Sequence, residues 1–79
     1  MYEAKKYKKA IECYNKSLKI VPDLQQTWLD KGKALLKLKK YSDAILCFDK
    51  VQELYQLQGI PYYKSEAKRL KEEAINKVG

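Results

Sequence analysis

Apolar residues recur every three or four positions along the whole chain, which is the spacing that places them on one face of an α-helix. Four such stripes can be followed: Tyr7, Ala10, Ile11, Tyr14 and Leu18; Trp28, Gly32, Leu35 and Leu36; Ala44, Ile45, Phe48, Val51 and Leu54; and Tyr63, Ala67, Leu70, Ala74 and Val78. No stretch of the sequence alternates apolar and polar residues as a half-buried strand would. The pattern therefore predicts an all-α chain.

Breaks in the pattern divide it into four helices. Pro22 cannot continue a helix, because its ring clashes with the preceding turn and it has no N–H to donate. Ser42 and Asp43 can supply an N-cap after a basic turn, and Gly59 with Pro61 separates the last two stripes. We therefore predict helices near residues 3–21, 24–38, 42–57 and 61–78.

The chain also repeats itself with a period of 34 residues. The residues that recur at this spacing are Tyr7, Ala10, Ile11, Cys13 and Lys16, which return as Tyr41, Ala44, Ile45, Cys47 and Lys50. Tyr14 returns as Phe48, also an aromatic residue. A repeat of this length indicates a pair of helices that is stacked on a similar pair. The alanines let two helices approach closely, and the aromatics four residues later lie on the same face.

These features resemble the tetratricopeptide repeat, whose period of about 34 residues carries W-x2-L-G-x2-Y, then A-x3-F, then P. In the segment 25–58, Trp28, Gly32, Ala44 and Phe48 stand at the tryptophan, glycine, alanine and aromatic positions. Three residues depart from the pattern in that segment: Lys31, Leu35 and Gln56 replace its leucine, tyrosine and proline. The resemblance implies antiparallel helix pairs stacked as a short right-handed solenoid of about four helices.

The same resemblance implies a division of one domain that spans residues 1–79. Residues 1–22 resemble the second half of a partial preceding repeat, and 61–78 resemble the helix that closes many such arrays. On this division the preceding repeat lacks its first helix. The helix face that carries Ala10 and Tyr14, which would pack on that helix, would then be left exposed. Because monomers rarely expose large apolar patches, we expect a cover. Either two copies pair through the N-terminal helix, or the chain is a fragment of a longer array.

The chain lacks the side chain that most often carries out catalysis or binds metal ions. The chain has no histidine, the commonest general base and metal ligand. Cys13 and Cys47 occupy equivalent repeat positions, which should lie about 18–20 Å apart if helices pack at 8–10 Å, beyond the roughly 7 Å limit of a disulfide. Gly32 stands alone between lysines, unlike a phosphate-binding loop, and Glu72 with Glu73 lie on a polar face. We predict no enzyme activity, no catalytic residue, no metal and no cofactor.

The net charge of +7 comes almost entirely from lysine, since Arg69 is the single arginine. Lysines beside tyrosines could hold nucleic acid, and an RNA- or DNA-associated protein is the second hypothesis. Recurrence of Tyr7 as Tyr41 favours a core role for the tyrosines instead, and bidentate recognition of phosphate or bases favours arginine. A self-assembly element is the third hypothesis. The sequence has no run of about 20 apolar residues and no secretory signal, which predicts a cytoplasmic protein without a membrane span.

The resemblance places a partner in the concave groove that the first helix of each pair lines. We therefore predict a non-catalytic scaffold or adaptor that binds a peptide or helix of a partner protein. The residues expected to line the groove are Gln26, Leu29, Lys33, Leu36, Lys37, Lys64, Lys68 and Lys71. The leucines would bury apolar side chains and the lysines would complement carboxylates, so the partner would be acidic. The alternative for Leu29 and Leu36 is packing against a neighbouring helix of this chain or of a second copy.

Overall fold

A computed structural model describes residues 2–59 and 61–78 of the chain. The helices in these ranges are α1 (Tyr2–Ile20), α2 (Gln25–Lys37), α3 (Tyr41–Gln58) and α4 (Pro61–Val78). The all-α class and the four predicted helices are confirmed, with boundaries within a few residues of those expected. No strand occurs within the two described ranges.

Each helix packs on the next one along the chain and is joined to it by a short connection. The helices therefore form antiparallel pairs, stacked as a short solenoid. α2 also packs against α4, whereas α1 packs on α2 alone among the described elements. The Cα atoms extend over 38 × 33 × 16 Å. The smallest of these dimensions suits two layers of helices whose axes lie about 8–10 Å apart.

The core is centred on the ring of Phe48 in α3, which is fully buried. Leu29 of α2, Val51 of α3 and Leu70 of α4 belong to the same apolar cluster. Gly32 of α2 lies directly against the Phe48 ring, so that a Cβ atom there would overlap the ring carbons. The absence of a side chain at this glycine therefore lets α2 and α3 approach closely.

Side-chain hydrogen bonds fasten the connection between α1 and α2. The indole Nε1 of Trp28 donates to the carbonyl oxygen of Pro22 at 2.8 Å. Gln58, at the end of α3, donates from Nε2 to the carbonyl oxygen of Asp23, and its own Oε1 accepts from Gln25, each at 2.8 Å. The break predicted at Pro22 is confirmed, and the far end of α3 is tied to it.

The predicted N-cap at Ser42 and Asp43 is wrong. α3 begins at Tyr41, one residue earlier, and Lys40 occupies the N-cap position without a side-chain hydrogen bond. Asp43 lies inside the first turn, where its carboxylate interacts favourably with the positive end of the helix dipole. Of the basic turn before Ser42, Lys40 therefore takes the N-cap position.

Two residues end helices in the left-handed conformation: Lys39 after α2 with a φ of 62°, and Gly59 after α3 with a φ of 72°. At the end of α2, the Lys40 amide donates to the Leu35 carbonyl at 2.9 Å and the Lys39 amide to the Leu36 carbonyl at 3.0 Å. This is the Schellman arrangement, in which the left-handed residue is usually glycine.

The two positions form a matched pair of stability tests. Lys39→Gly is expected to raise the free energy of unfolding by about 0.5–1 kcal/mol, because glycine adopts the left-handed region without the strain of a Cβ atom. Gly59→Ala is expected to lower it by about 1 kcal/mol for the converse reason, since no heavy atom lies within 4 Å of the added Cβ. Urea unfolding measures both. Changes of equal sign would contradict the account.

Candidate functional site

A groove lies between α2 and α4, with a volume of about 300 Å³; we call it the α2–α4 groove. Its lining residues are Lys33, Leu36 and Lys37 of α2, Tyr41 of α3, and Leu70, Glu73 and Lys77 of α4. Leu70 is buried and Leu36 half-buried, so they form an apolar floor. Three lysines and one glutamate surround this floor, which gives the groove a positive rim.

The predicted residues of α2 lie largely where expected. Lys33, Leu36 and Lys37 line the groove. Gln26 is exposed two turns earlier, and its Oε1 accepts a hydrogen bond of 3.3 Å from the Tyr63 hydroxyl of α4. Gln26 therefore bridges the two helices beyond the end of the cavity. Whether these four residues bind a partner stays a prediction.

Leu29 does not line the groove. It is 2% exposed and is among the largest fully buried side chains of the chain. The physical reason is that it lies one turn before Gly32, on the same face of α2, and the close approach of α3 at that glycine encloses it. The alternative considered for Leu29, packing against a neighbouring helix of this chain, is what the structure has.

The three lysines predicted on α4 face away from α2, so their expected placement is wrong. The Lys64 ammonium lies 4.5 Å from the ring centroid of Tyr55 in α3, and Lys71 pairs with Asp49 of the same helix. Lys68 is exposed on the side of α4 that carries these two. The lysines thus follow the outer boundary between α3 and α4.

The α4 residues that line the α2–α4 groove are Leu70, Glu73 and Lys77, which sequence reasoning missed. A signal for them was present. Leu70 belongs to the apolar stripe of the fourth helix, and residues three and seven positions further on share its face. Once Leu70 is known to face α2, Glu73 and Lys77 follow from the helical period.

A larger groove, of about 660 Å³, lies between α1 and α3 with α2 as its floor; we call it the α1–α3 groove. Its apolar lining residues are Ile11 of α1, Trp28 and Leu35 of α2, Leu38 at the C-cap of α2, and Leu46 and Cys47 of α3. Its charged ones are Lys8, Glu12, Lys31, Lys40, Asp43 and Lys50. None of the α2 residues that line this groove lines the α2–α4 groove, so the two grooves occupy opposite faces of α2.

The exposed side of α1 carries the apolar hollow that its sequence predicts. Tyr7, Ala10 and Tyr14 are half-buried there and, with Ala34 of α2, line about 270 Å³. Burial raises the pKa of the Tyr14 phenol, and the nearby carboxylate of Asp30 adds to the effect. Pairing of two copies through this hollow, or its coverage by further repeats, stays a prediction.

The two cysteines differ in their surroundings. Cys13 is exposed on α1, whereas Cys47 is buried in the core, and both are free thiols. Burial raises the pKa of the Cys47 thiol to about 11, against the lowering effect of Lys31, while Asp43 raises it further. At neutral pH this thiol is protonated, and the thiolate is the nucleophilic form of cysteine.

The described residues include neither a candidate metal site nor a helix that could span a membrane. The acidic and cysteine side chains there form no group of three or more that could hold a metal ion. Separately, none of the helices in the described part of the chain is long and apolar enough to cross a membrane. The predicted absence of a cofactor and of enzyme activity stays a prediction.

Comparison with known proteins identifies the repeat. Neither a curated protein nor a solved structure matches the chain significantly. The family model of the tetratricopeptide repeat matches twice, at residues 2–24 and 25–56. These two matches cover most of the chain, and the second contains Trp28, Gly32, Ala44 and Phe48, from which the resemblance was first drawn. The chain belongs to the tetratricopeptide-repeat family.

Proposed function

We propose that this chain is a non-catalytic scaffold or adaptor module that binds a peptide or helix of a partner protein in the α2–α4 groove. Tetratricopeptide repeats generally mediate protein–protein interaction. We choose this groove because its floor, formed by Leu36 and Leu70, is apolar and has lysines on both sides.

The chemistry of the groove indicates an acidic, partly apolar partner. A partner leucine or similar side chain that is fully buried on Leu36 and Leu70 would contribute about 1.5–3 kcal/mol. Lys33, Lys37 and Lys77 outnumber the single acid Glu73 and would attract carboxylates. Because these charges lie at the rim, they would affect the association rate and its salt dependence more than the final affinity.

The proposal keeps the domain division predicted from the sequence: a partial repeat at 1–22, a complete repeat at 25–58 and a capping helix at 61–78. The outward face of α4 supports the capping role, because most of its exposed residues are polar (Ser65, Lys68, Arg69, Glu72 and Asn76), although Ile75 beside them is 46% exposed. A polar outer face is what a terminal helix of a repeat array needs for solubility. The cytoplasmic location predicted from the sequence stays a prediction.

A charge-reversed double variant tests the groove. Lys37→Glu with Lys77→Glu should abolish the capture of at least one protein that the immobilised wild-type chain retains from nuclease-treated extract, because carboxylates would then repel an acidic partner. Lys9→Glu with Lys16→Glu is the matched control, since it changes the net charge equally at exposed α1 positions that line neither groove. The control should retain the same protein in a mass-spectrometric comparison.

Two results would contradict the proposal. Equal losses in the two double variants would show that only the overall charge matters. Loss of all bound material on nuclease treatment would favour nucleic acid, for which affinity should also fall steeply as salt increases.

A further inference from the structure

We propose that the α1–α3 groove is a second docking surface, and that its occupant is a short amphipathic helix of a partner protein with apolar residues on one face and acidic residues beside them. This surface lies on the opposite face of α2 from the α2–α4 groove. The inference depends on the family's general role in protein binding and does not require that the α2–α4 groove bind anything.

Leu46 provides exposed apolar surface in the α1–α3 groove. This leucine of α3 is 67% exposed, although it is adjacent to the buried Cys47. It lines the α1–α3 groove together with Ile11 and Trp28, which are half-buried at the edge of the core. The cavity of about 660 Å³ falls within the range of about 300–1,000 Å³ that is usual for binding pockets. The groove therefore offers apolar surface that the chain itself leaves uncovered.

The shape of the groove suits a helix. α1 and α3 both pack on α2 but do not pack on each other within the described part of the chain. The space between them is consequently a slot with two helical walls and a helical floor. An amphipathic helix laid in such a slot presents side chains at i, i+3, i+4 and i+7 to the floor, the usual pattern of helix-in-groove recognition.

The excess of lysines in the α1–α3 groove favours an occupant with acidic side chains. Four lysines line the groove against Glu12 and Asp43. Lys31 and Lys40 take part in none of the ion pairs formed among the described side chains. The Lys31 ammonium instead lies 5.3 Å from the ring centroid of Trp28, so its charge stays over the groove. Carboxylates on the occupant would complement this excess and would lower the repulsion between neighbouring lysines.

The same geometry argues against nucleic acid as the occupant. A single strand would need aromatic faces on which its bases could stack. Among the described side chains, Trp28 is the only aromatic one that lines the groove, and the ammonium of Lys31 already lies over its ring. Phosphates would satisfy the lysines but would leave the apolar surface around Leu46 exposed to water. A peptide with both kinds of side chain satisfies the whole groove.

Trp28 gives the test a local reporter, because it is the only tryptophan of the chain and lies in this groove but not in the α2–α4 groove. The probe is a synthetic 15-residue helical peptide with leucines at i, i+3, i+4 and i+7 positions and glutamates beside them. A twin peptide has lysine in place of every glutamate. Binding is measured by anisotropy of a dye on the peptide and by the emission of Trp28.

The decisive comparison uses two exposed leucines of α3. Leu46→Glu should weaken binding of the acidic peptide at least tenfold, because it puts a carboxylate against the bound acidic helix. Leu57→Glu is the matched control, since Leu57 is 80% exposed and does not line the groove. The control should bind as the wild type does, with the same shift of Trp28 emission, and the lysine twin should not bind. Circular dichroism checks that both variants keep their helix content.

Other outcomes would overturn the inference. Equal affinity of the two leucine variants, or binding without a change in Trp28 emission, would place the peptide outside the α1–α3 groove. Loss of binding in the double variant Lys37→Glu with Lys77→Glu, but not in Leu46→Glu, would assign the peptide to the α2–α4 groove and leave the proposed function intact. Displacement of the peptide by a 12-nucleotide oligothymidine, with Leu46→Glu unaffected, would favour nucleic acid.

Discussion

Gly32→Ala is expected to lower the free energy of unfolding by about 1–3 kcal/mol, the usual cost of overpacking a core. In an isolated helix the same change would be stabilising by about 1 kcal/mol, because alanine has the higher helix propensity. In the folded protein the expected change in the free energy of unfolding has the opposite sign, because the added Cβ would meet the Phe48 ring. An added Cβ would lie 2.8 Å from Cζ and 2.9 Å from Cδ1 of Phe48, and closer still to Cε1.

The ring of Phe48 has little freedom to move away from such an atom. It is 0% exposed, and Val51 and Ala44 of the same core cluster are also fully buried. An added methyl group would therefore push α2 and α3 apart or force the ring from its rotamer. A domain of this size has a net stability of roughly 3–5 kcal/mol, so either response removes a large part of it.

A double-mutant cycle with Phe48→Leu separates the clash from other effects. Leucine removes the ring carbons that the new Cβ would meet, and Phe48→Leu alone should cost about 1 kcal/mol or more. In this background Gly32→Ala should be neutral or stabilising, because only the helix-propensity gain remains. Urea unfolding of the four proteins gives the coupling energy. If Gly32→Ala costs the same in both backgrounds, contact with the ring is not the cause.

Gly32 and Phe48 also show why the fold could be predicted from the sequence. The helices follow from the apolar period and from breaks such as Pro22, which act within a few residues of the chain. The pairing of helices follows from the 34-residue recurrence, which aligns Ala10 with Ala44 and Tyr14 with Phe48. The apolar period and the 34-residue recurrence are both patterns in the linear sequence, so neither requires knowledge of the tertiary structure.

The site was harder to predict because it depends on how each helix is rotated about its axis. A change of one residue in register rotates a helical face by about 100°. The expected positions of Lys64 and Lys71 were wrong because both side chains contact α3 and not the groove beside α2. Their long side chains reach the ring of Tyr55 and the carboxylate of Asp49 on α3, contacts that no pattern within α4 reveals.

The α1–α3 groove could not be predicted from the apolar stripes. Leu46 lies outside the apolar stripe of α3, and a single exposed leucine does not by itself indicate a binding site. Leu46 becomes part of a groove only because α1 and α3 pack on α2 without packing on each other, so that Ile11 and Leu46 line one cavity. A groove between helices that do not touch is a property of the stacking angle, which the repeat period does not encode.

The buried thiol of Cys47 predicts a loss of stability in alkaline solution. Burial is the main cause that raises its pKa to about 11 from the value of 9.0 in an unfolded chain. Because the folded state holds this proton more tightly, the thiol's contribution is complete below pH 9 and disappears as the pH rises through about 11. A difference of this size corresponds to about 3 kcal/mol, comparable with the whole stability expected of a domain this small.

Comparison of the wild type with Cys47→Ala isolates this effect, because other titrating groups, Tyr14 included, are common to both proteins. Cys47→Ala should be slightly less stable than the wild type at pH 7, since it removes a buried sulfur atom, and more stable at pH 11. Urea unfolding between pH 7 and 11 should therefore show the two stabilities cross. Cys13→Ala, which removes the exposed thiol, is the control for the loss of a cysteine outside the core. Parallel curves for the wild type and Cys47→Ala would mean that the pKa of this thiol is the same in the folded and unfolded states, which would contradict the prediction.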